Sequence, residues 1–231
     1  RGLGDVYKRQ FPLAFNVNYD FTDGLSQSNI SSLIDKEVYD LVKPIGTVDN
    51  KSDYAYIFEP HEYYTQAAIY KILNEGLRVK TATRKFSIKG KEYDYGTYMI
   101  PVQDQELNSD EIYKLLNKVS KMYNVNFESH STGITDGIDF GSNNFLIVQQ
   151  PRIGLIVGDG VRSYDAGEIW HLLDLRFDIP ITKLDIGNLG YINLNKYSHI
   201  ILPDYNGSRI DVDQIKDYVD GFAFYANINE I

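Results

Sequence analysis

The sequence contains no cysteine. That one absence excludes a disulfide scaffold, a zinc finger, a Cys nucleophile and an iron–sulfur site. Among its 231 residues no apolar run comes near the roughly 20 residues a membrane-crossing helix needs. Basic residues are also scarce: 23 Lys and Arg face 32 Asp and Glu, for a net charge of -9. An acidic chain without a basic patch argues against a phosphate-backbone partner, so no nucleic acid is expected. Several catalytic signatures are missing too. There is no H-E-x-x-H or H-x-x-E pattern, no G-x-S-x-G elbow and no Walker Lys-Ser/Thr pair. What remains is ordinary for a folded protein, with 43% hydrophobic and 24% charged residues, apart from an abundance of tyrosine at 19 residues.

Residues 1–10, Arg1 to Gln10, show neither helical nor strand periodicity and carry three of the basic residues against one acid. They lack the apolar core of a secretory signal. The string resembles a leader found before unrelated proteins translated from environmental DNA, so it is expected to be non-native. Residues 11–52 mix a short extended piece (Phe15, Val17, Tyr19, Phe21), a Thr22-Asp-Gly24 turn, and weak helical spacing through Leu33, Val38, Leu41 and Val42.

From Asp53 the pattern sharpens. Tyr54 to Phe58 is β-rich, and His61 to Glu75 places Ala68, Ile69, Ile72 and Leu73 on one helical face with Gly76 at the C-cap. Leu77, Val79 and Thr81 alternate as a strand, Gly90 marks a turn, and Gly96 to Val102 is a further strand. Asn108-Ser-Asp-Glu111 matches a capping box opening a helix through Ile112, Leu115, Leu116, Val119 and Met122, and Val125 and Phe127 begin an extended segment. A second series follows. Ile153 to Val157 is the continuous apolar run of a strand buried on both faces. Ala166 to Phe177 reads as a helix, Ile181 to Ile186 and His199 to Leu202 as strands, Val212, Ile215 and Val219 as a helix, and Phe222 to Ile228 as a last strand. The alternation predicts an α/β fold of two consecutive strand–helix series, residues 53–150 and 151–231, with a largely parallel sheet. The second series stops one strand after a helix and is expected to be truncated.

The loop from Gly158 to Glu168 joins a buried strand to a helix, where parallel sheets bind ligands and helix N-termini favour anions. Gly158, Asp159, Gly160, Ser163 and Asp165 are therefore the candidate ligand-binding residues. A dinucleotide fingerprint would need Gly at position 163 and an immediate helix start. The structural alternative is a tight β–α turn with Ser163 or Asp165 as N-cap. The histidines offer less. His61 and Glu62 point to different sides of a helix, His171 and Asp174 are spaced for one contact, and His199 lies in a buried run as a core histidine. Zinc needs three or four convergent ligands, which these do not supply. Asp136/Asp139 and Asp211/Asp213 fit turns or helix starts, Asn206-Gly-Ser-Arg209 is a polar connection, and the tyrosines fit strand faces.

Asp53 to Tyr64, Ala67 to Leu73, Gly76-Leu-Arg-Val79 and Tyr95 to Val102 resemble the region downstream of the catalytic domain in large bacterial zinc carboxypeptidases. Pro151-Arg-Ile-Gly-Leu-Ile-Val-Gly158, Ser163 to Asp174 and Ile179 to Asp185 resemble it most closely, and Pro12 to Asn16 looks like the exit from the peptidase domain. The resemblance spans Phe11 to about Val219. It implies that residues 11–52 connect to a peptidase domain holding the zinc, and that this chain carries no cofactor or catalytic residue. It also implies an exported protein, a peptidase-domain partner, and a flavodoxin-like fold similar to class I glutamine amidotransferases. Those relatives use a Cys on a sharp turn; this chain has none, leaving a hydrolase of that type as the least favoured reading. A module binding a small molecule, peptide or glycan is the alternative to an accessory region.

Overall fold

The computed structural model describes residues 45–206 and 225–226. The leader, most of the connector, the 212–219 helix and Asp211/Asp213 lie outside the described residues, as does most of the last strand. The described residues form a mixed α/β structure with a five-stranded antiparallel sheet, a four-stranded parallel sheet and a two-stranded hairpin.

The first sheet is built from β1 (Ala55–Phe58), β2 (Lys80–Ala82), β5 (Tyr98–Pro101), β6 (Glu128–His130) and β7 (Phe145–Ile147), in the order β6-β1-β5-β2-β7. Helix α1 (Thr65–Asn74) links β1 to β2, and helix α2 (Ser109–Tyr123) links β5 to β6. Between β2 and β5 the chain forms a hairpin of β3 (Phe86–Ile88) and β4 (Lys91–Tyr93). Its turn carries Lys89 and Gly90 at φ 53° and 81°, the left-handed pair a tight two-residue hairpin requires.

The expected helix and strand order is present here, but parallel pairing is not. Every pairing in this sheet is antiparallel. The helical crossover through α1 does make β1 and β2 run the same way. They are not neighbours, however, because β5 lies between them and runs against both. This is the split βαβ, or ferredoxin-like, arrangement. The chain returns from β2 through the β3–β4 hairpin to β5, which pairs antiparallel with both β2 and β1. Strand β7, within residues with no clear period, adds the fifth position.

The sheet is covered on both faces. Tyr56 and Phe58 point to a core under α1 and α2 with Ile72, Ile112, Leu116, Val119 and Phe127. Ala55 and Ile57 point to a second core under the hairpin, with Phe86, Tyr93, Met99, Phe140 and Phe145. Helix α2 starts on the complete capping box: Asn108 accepts from Asp110 N and Glu111 N, and Glu111 accepts from Asn108 N. It ends at Asn124 in the left-handed conformation.

The parallel sheet has β9 (Ile181–Asp185), β8 (Ile153–Val157), β10 (His199–Leu202) and β11 (Tyr225–Ala226) side by side in that order. Here the parallel pairing expected from the buried run at 153–157 is present throughout. Helix α3 (Ser163–Trp170) passes into a π-helix over His171–Arg176, where a continuous α-helix to Phe177 was expected. Phe177 N donates to Leu172 O at 3.1 Å, closing the wide turn.

That π turn delivers Phe177 and Ile179 into the first core rather than their own sheet's. Phe177 meets Tyr63 and Tyr64 edge-on, with centroids 5.6 and 6.0 Å away. Arg176 donates to the Tyr63 hydroxyl at 2.9 Å, and the Tyr123 hydroxyl donates to Asp178 at 3.1 Å. Truncating a buried Phe removes its transfer energy and leaves a cavity, so Phe177→Ala should cost about 3–5 kcal/mol. Urea unfolding monitored by tyrosine and tryptophan fluorescence checks this, and a loss under about 1 kcal/mol would contradict the shared core.

Candidate functional site

In the parallel sheet the chain runs from β8 through α3 to β9, then returns past β8 to reach β10 on its other side. The connections therefore diverge between β8 and β10, and in doubly wound sheets the crevice at the carboxyl ends of such strands is where ligands bind. All five candidate residues fall on the segment leaving β8.

The segment is held tightly. Gly158 and Gly160 adopt φ of 112° and 84°, conformations that side chains rarely accept. Val161 N donates to Gly158 O at 3.1 Å, closing the turn. Val161 then bridges Tyr205, Arg162 N donates to Asp204 O at 2.8 Å, and Asn206 N donates to Gly160 O at 2.8 Å. An Arg162–Asp204 ion pair at 3.1 Å reinforces the clamp. The loops after β8 and β10 are thus tied across the point where a doubly wound sheet opens. Asp159 sits exposed on the turn.

Ser163 and Asp165 do not cap α3 as expected. The helix begins at Ser163, and Arg162 is its N-cap, with no cap hydrogen bond from its own side chain. The ion pair to Asp204 fixes Arg162 at that position, while Asp165, in the first turn, faces the positive end of the helix. Ser163 lies apart from the glycines, at one end of an open groove of about 460 Å³ with Tyr164, Glu168, His171, Leu172 and Arg176. The five candidates therefore divide between a clamped turn and an outer helix face.

No family model, curated protein or solved structure matches this chain.

The histidines are rearranged relative to expectation. His199 is exposed at the start of β10, its Nδ1 2.9 Å from the Ser198 hydroxyl, so it is not a core histidine. The apolar run inward of it starts at Ile200, which is buried instead. His171 and Asp174 do not pair; Asp174 accepts from Trp170 Nε1 at 3.0 Å, and Lys183 lies over the indole ring. The buried histidine is His130, 5% exposed, packed against the rings of Tyr93 and Phe140. Neither of its ring nitrogens has a hydrogen-bond partner among the described residues. Among the described residues no group of three or more His, Asp or Glu side chains could hold a metal, and no helix is long and apolar enough to cross a membrane.

Beside His130 stands a polar cluster that residue spacing does not reveal. Lys91 on β4 bonds to Glu59 at 3.1 Å and to Glu128 on β6, and the Tyr93 hydroxyl donates to Glu128 at 2.7 Å. Burial, and then the bond to Glu128, push the Tyr93 phenol far above its ordinary value. Against the opposing effect of burial, the bonds from Lys91 and Tyr93 hold the Glu128 carboxyl below the usual carboxylate range. A phenol that keeps its proton and a carboxylate with both oxygens engaged make a poor base and a poor nucleophile, so the cluster fastens the hairpin to the sheet. The period-2 alternation of Lys91/Tyr93 and Glu128/His130 is its only local signal, and it gives the face without the partner.

Burial, followed by repulsion from Lys89, lowers the affinity of His130 for a proton. Well above pH 6.5, the ordinary histidine value, His130 carries no proton in either the folded or the unfolded chain. Below it the unfolded chain takes up a proton that the folded chain refuses, so stability falls as pH drops. The expected loss is at most about 1.4 kcal/mol per pH unit just below pH 6.5. His130→Leu should flatten that part of the profile, seen as urea midpoints at pH 7.5, 6.5 and 5.5; an unchanged slope would contradict the assignment.

Proposed function

We propose that this chain is a non-catalytic accessory region of a zinc-dependent metallocarboxypeptidase-like protein. The observation that carries this reading is the clamp across the switch point. The turn at Gly158–Arg162 and the loop at Asp204–Asn206 spend their hydrogen bonds on each other. A surface so tied serves rigidity, and the seating of Phe177 and Ile179 in the other sheet's core serves it again. The ordered sequence blocks that resemble the peptidases' downstream region supply the family.

The strand order β9-β8-β10-β11 supports the flavodoxin-like, amidotransferase-like part of the reading, since it matches the first four positions of the 2-1-3-4-5 order. On this reading proteolysis and zinc belong to a peptidase domain that is this region's partner, and the protein is exported. The described residues offer no ligand set for zinc, so no catalytic step is assigned to them. The role of the chain is to support or shield the peptidase domain.

A second reading, a module for a small molecule, peptide or glycan, draws on two positive-φ glycines at a parallel sheet's carboxyl edge and, separately, on the open groove along α3.

Incubating the chain with zinc and a peptide bearing a free C-terminus should release no C-terminal residue above the zinc-only control; release would overturn the accessory reading. A thermal-shift screen of sugars, nucleotides and peptides separates the second reading. The accessory reading expects no stabilisation, whereas a shift lost in Gly160→Val, with the variant's far-ultraviolet circular dichroism unchanged, would favour binding.

A further inference from the structure

The two edges of the antiparallel sheet differ. Outside β6 the chain segment at Thr47–Asp49 pairs with Phe127, and Glu128 places a charge on the strand. Strand β7 ends the sheet on the other side with no partner beyond it among the described residues. Leu146 and Ile147 are 54% and 55% exposed there, although they lie on opposite faces of the sheet.

The backbone bonds fix which groups face outward. Thr83 N donates to Asn144 O at 2.9 Å and Val148 N donates to Val79 O at 2.9 Å, and Leu146 stands opposite Thr81. Residues 144, 146 and 148 therefore turn their N–H and C=O toward β2, and residues 145, 147 and 149 turn theirs away. Phe145 N is taken by Ser142 O at 3.1 Å. Left for a partner are the N–H and C=O of Ile147, the C=O of Phe145 and the N–H of Gln149. Sheet edges are ordinarily guarded by charge, by Pro or by a covering segment. From Gly141 to Pro151 there is no charged residue, and the only proline, Pro151, lies beyond the last of these groups.

We propose that two copies of this chain pair antiparallel through β7, about a two-fold axis at Ile147. In that register Ile147 faces Ile147 of the second copy, and each copy's Leu146 faces the other's Val148. The two Ile147 backbones exchange two hydrogen bonds, and each Gln149 N–H donates to the other copy's Phe145 C=O. The pairing covers Leu146 on one face and Ile147 on the other. A second copy is favoured as occupant because the strand is self-complementary and carries no charge from Gly141 to Pro151, so no like charges are opposed there. Two chains of net charge -9 repel over most of their surfaces. An uncharged, self-complementary strand is where they can meet, and an isologous two-fold contact closes without leaving a new edge in the pairing.

Sedimentation velocity over a wide concentration range tests this. The wild type should pass from monomer to dimer, the more readily as added salt screens the repulsion. Ile147→Lys, which sets two like charges directly opposite, should weaken association by about tenfold or more while leaving the melting temperature of the dilute protein unchanged. Hydrogen exchange serves independently of any variant: the Ile147 and Gln149 amides should become protected as concentration rises. A wild type that stays monomeric would overturn the proposal. So would a dimer that survives Ile147→Lys, or one in which these amides exchange at the monomer's rate. Protection of the two amides in dilute monomer would mean that another part of the same chain covers β7, and would also overturn it.

Discussion

The described structure hangs on the burial of four consecutive residues. Ala55, Tyr56, Ile57 and Phe58 are each at most 1% exposed. Strand alternation sends Tyr56 and Phe58 one way and Ala55 and Ile57 the other, so β1 needs a covering layer on each face. The helices α1 and α2 provide one, and the β3–β4 hairpin with Ile138, Phe140 and Phe145 provides the other. Each large side chain removed from water there contributes about 1.5–3 kcal/mol before entropy is counted. Remove either layer and β1 is left half exposed.

The same demand explains the polar cluster. A hairpin lying on a sheet face brings its own charges toward the boundary, and Lys91 meets Glu59 and Glu128 there. Lys91 stays exposed and the two glutamates are half-buried, so each keeps some water while the ion pairs, with Tyr93 completing Glu128, join hairpin to sheet. His130, two residues along the same strand, has no hydrogen-bond partner among the described residues, and burial beside Tyr93 and Phe140 lowers its affinity for a proton. The second sheet docks through the aromatic contacts of Phe177, flanked by the Arg176–Tyr63 and Tyr123–Asp178 hydrogen bonds.

Much of the local structure was legible in the residues. The capping box at Asn108 and Glu111, the glycine after α1, and the doubly buried run at Ile153–Val157 rest on interactions within a few positions in sequence. The candidate site was legible as a place, the turn after β8, but not as an arrangement. Its closure depends on Asp204, Tyr205 and Asn206, more than 40 residues along the chain from Gly160 and Arg162. The helix cap was misjudged for a related reason, because an ion pair to Asp204 holds Arg162 where a capping serine or aspartate was expected.

By itself the sequence determined the acidic charge, the exclusion of cysteine chemistry, the type of most elements and the inward face of each. These follow from composition and from periods of 2 and 3.6 residues, which short-range geometry imposes. Tertiary structure alone decided that β5 lies between β1 and β2 and that the first sheet is antiparallel. It also decided that His130 rather than His199 is buried, and that β7 is left as an uncharged edge. The reason is that strand adjacency is selected by the whole set of layers that must be covered at once, and no window of neighbouring residues contains that sum.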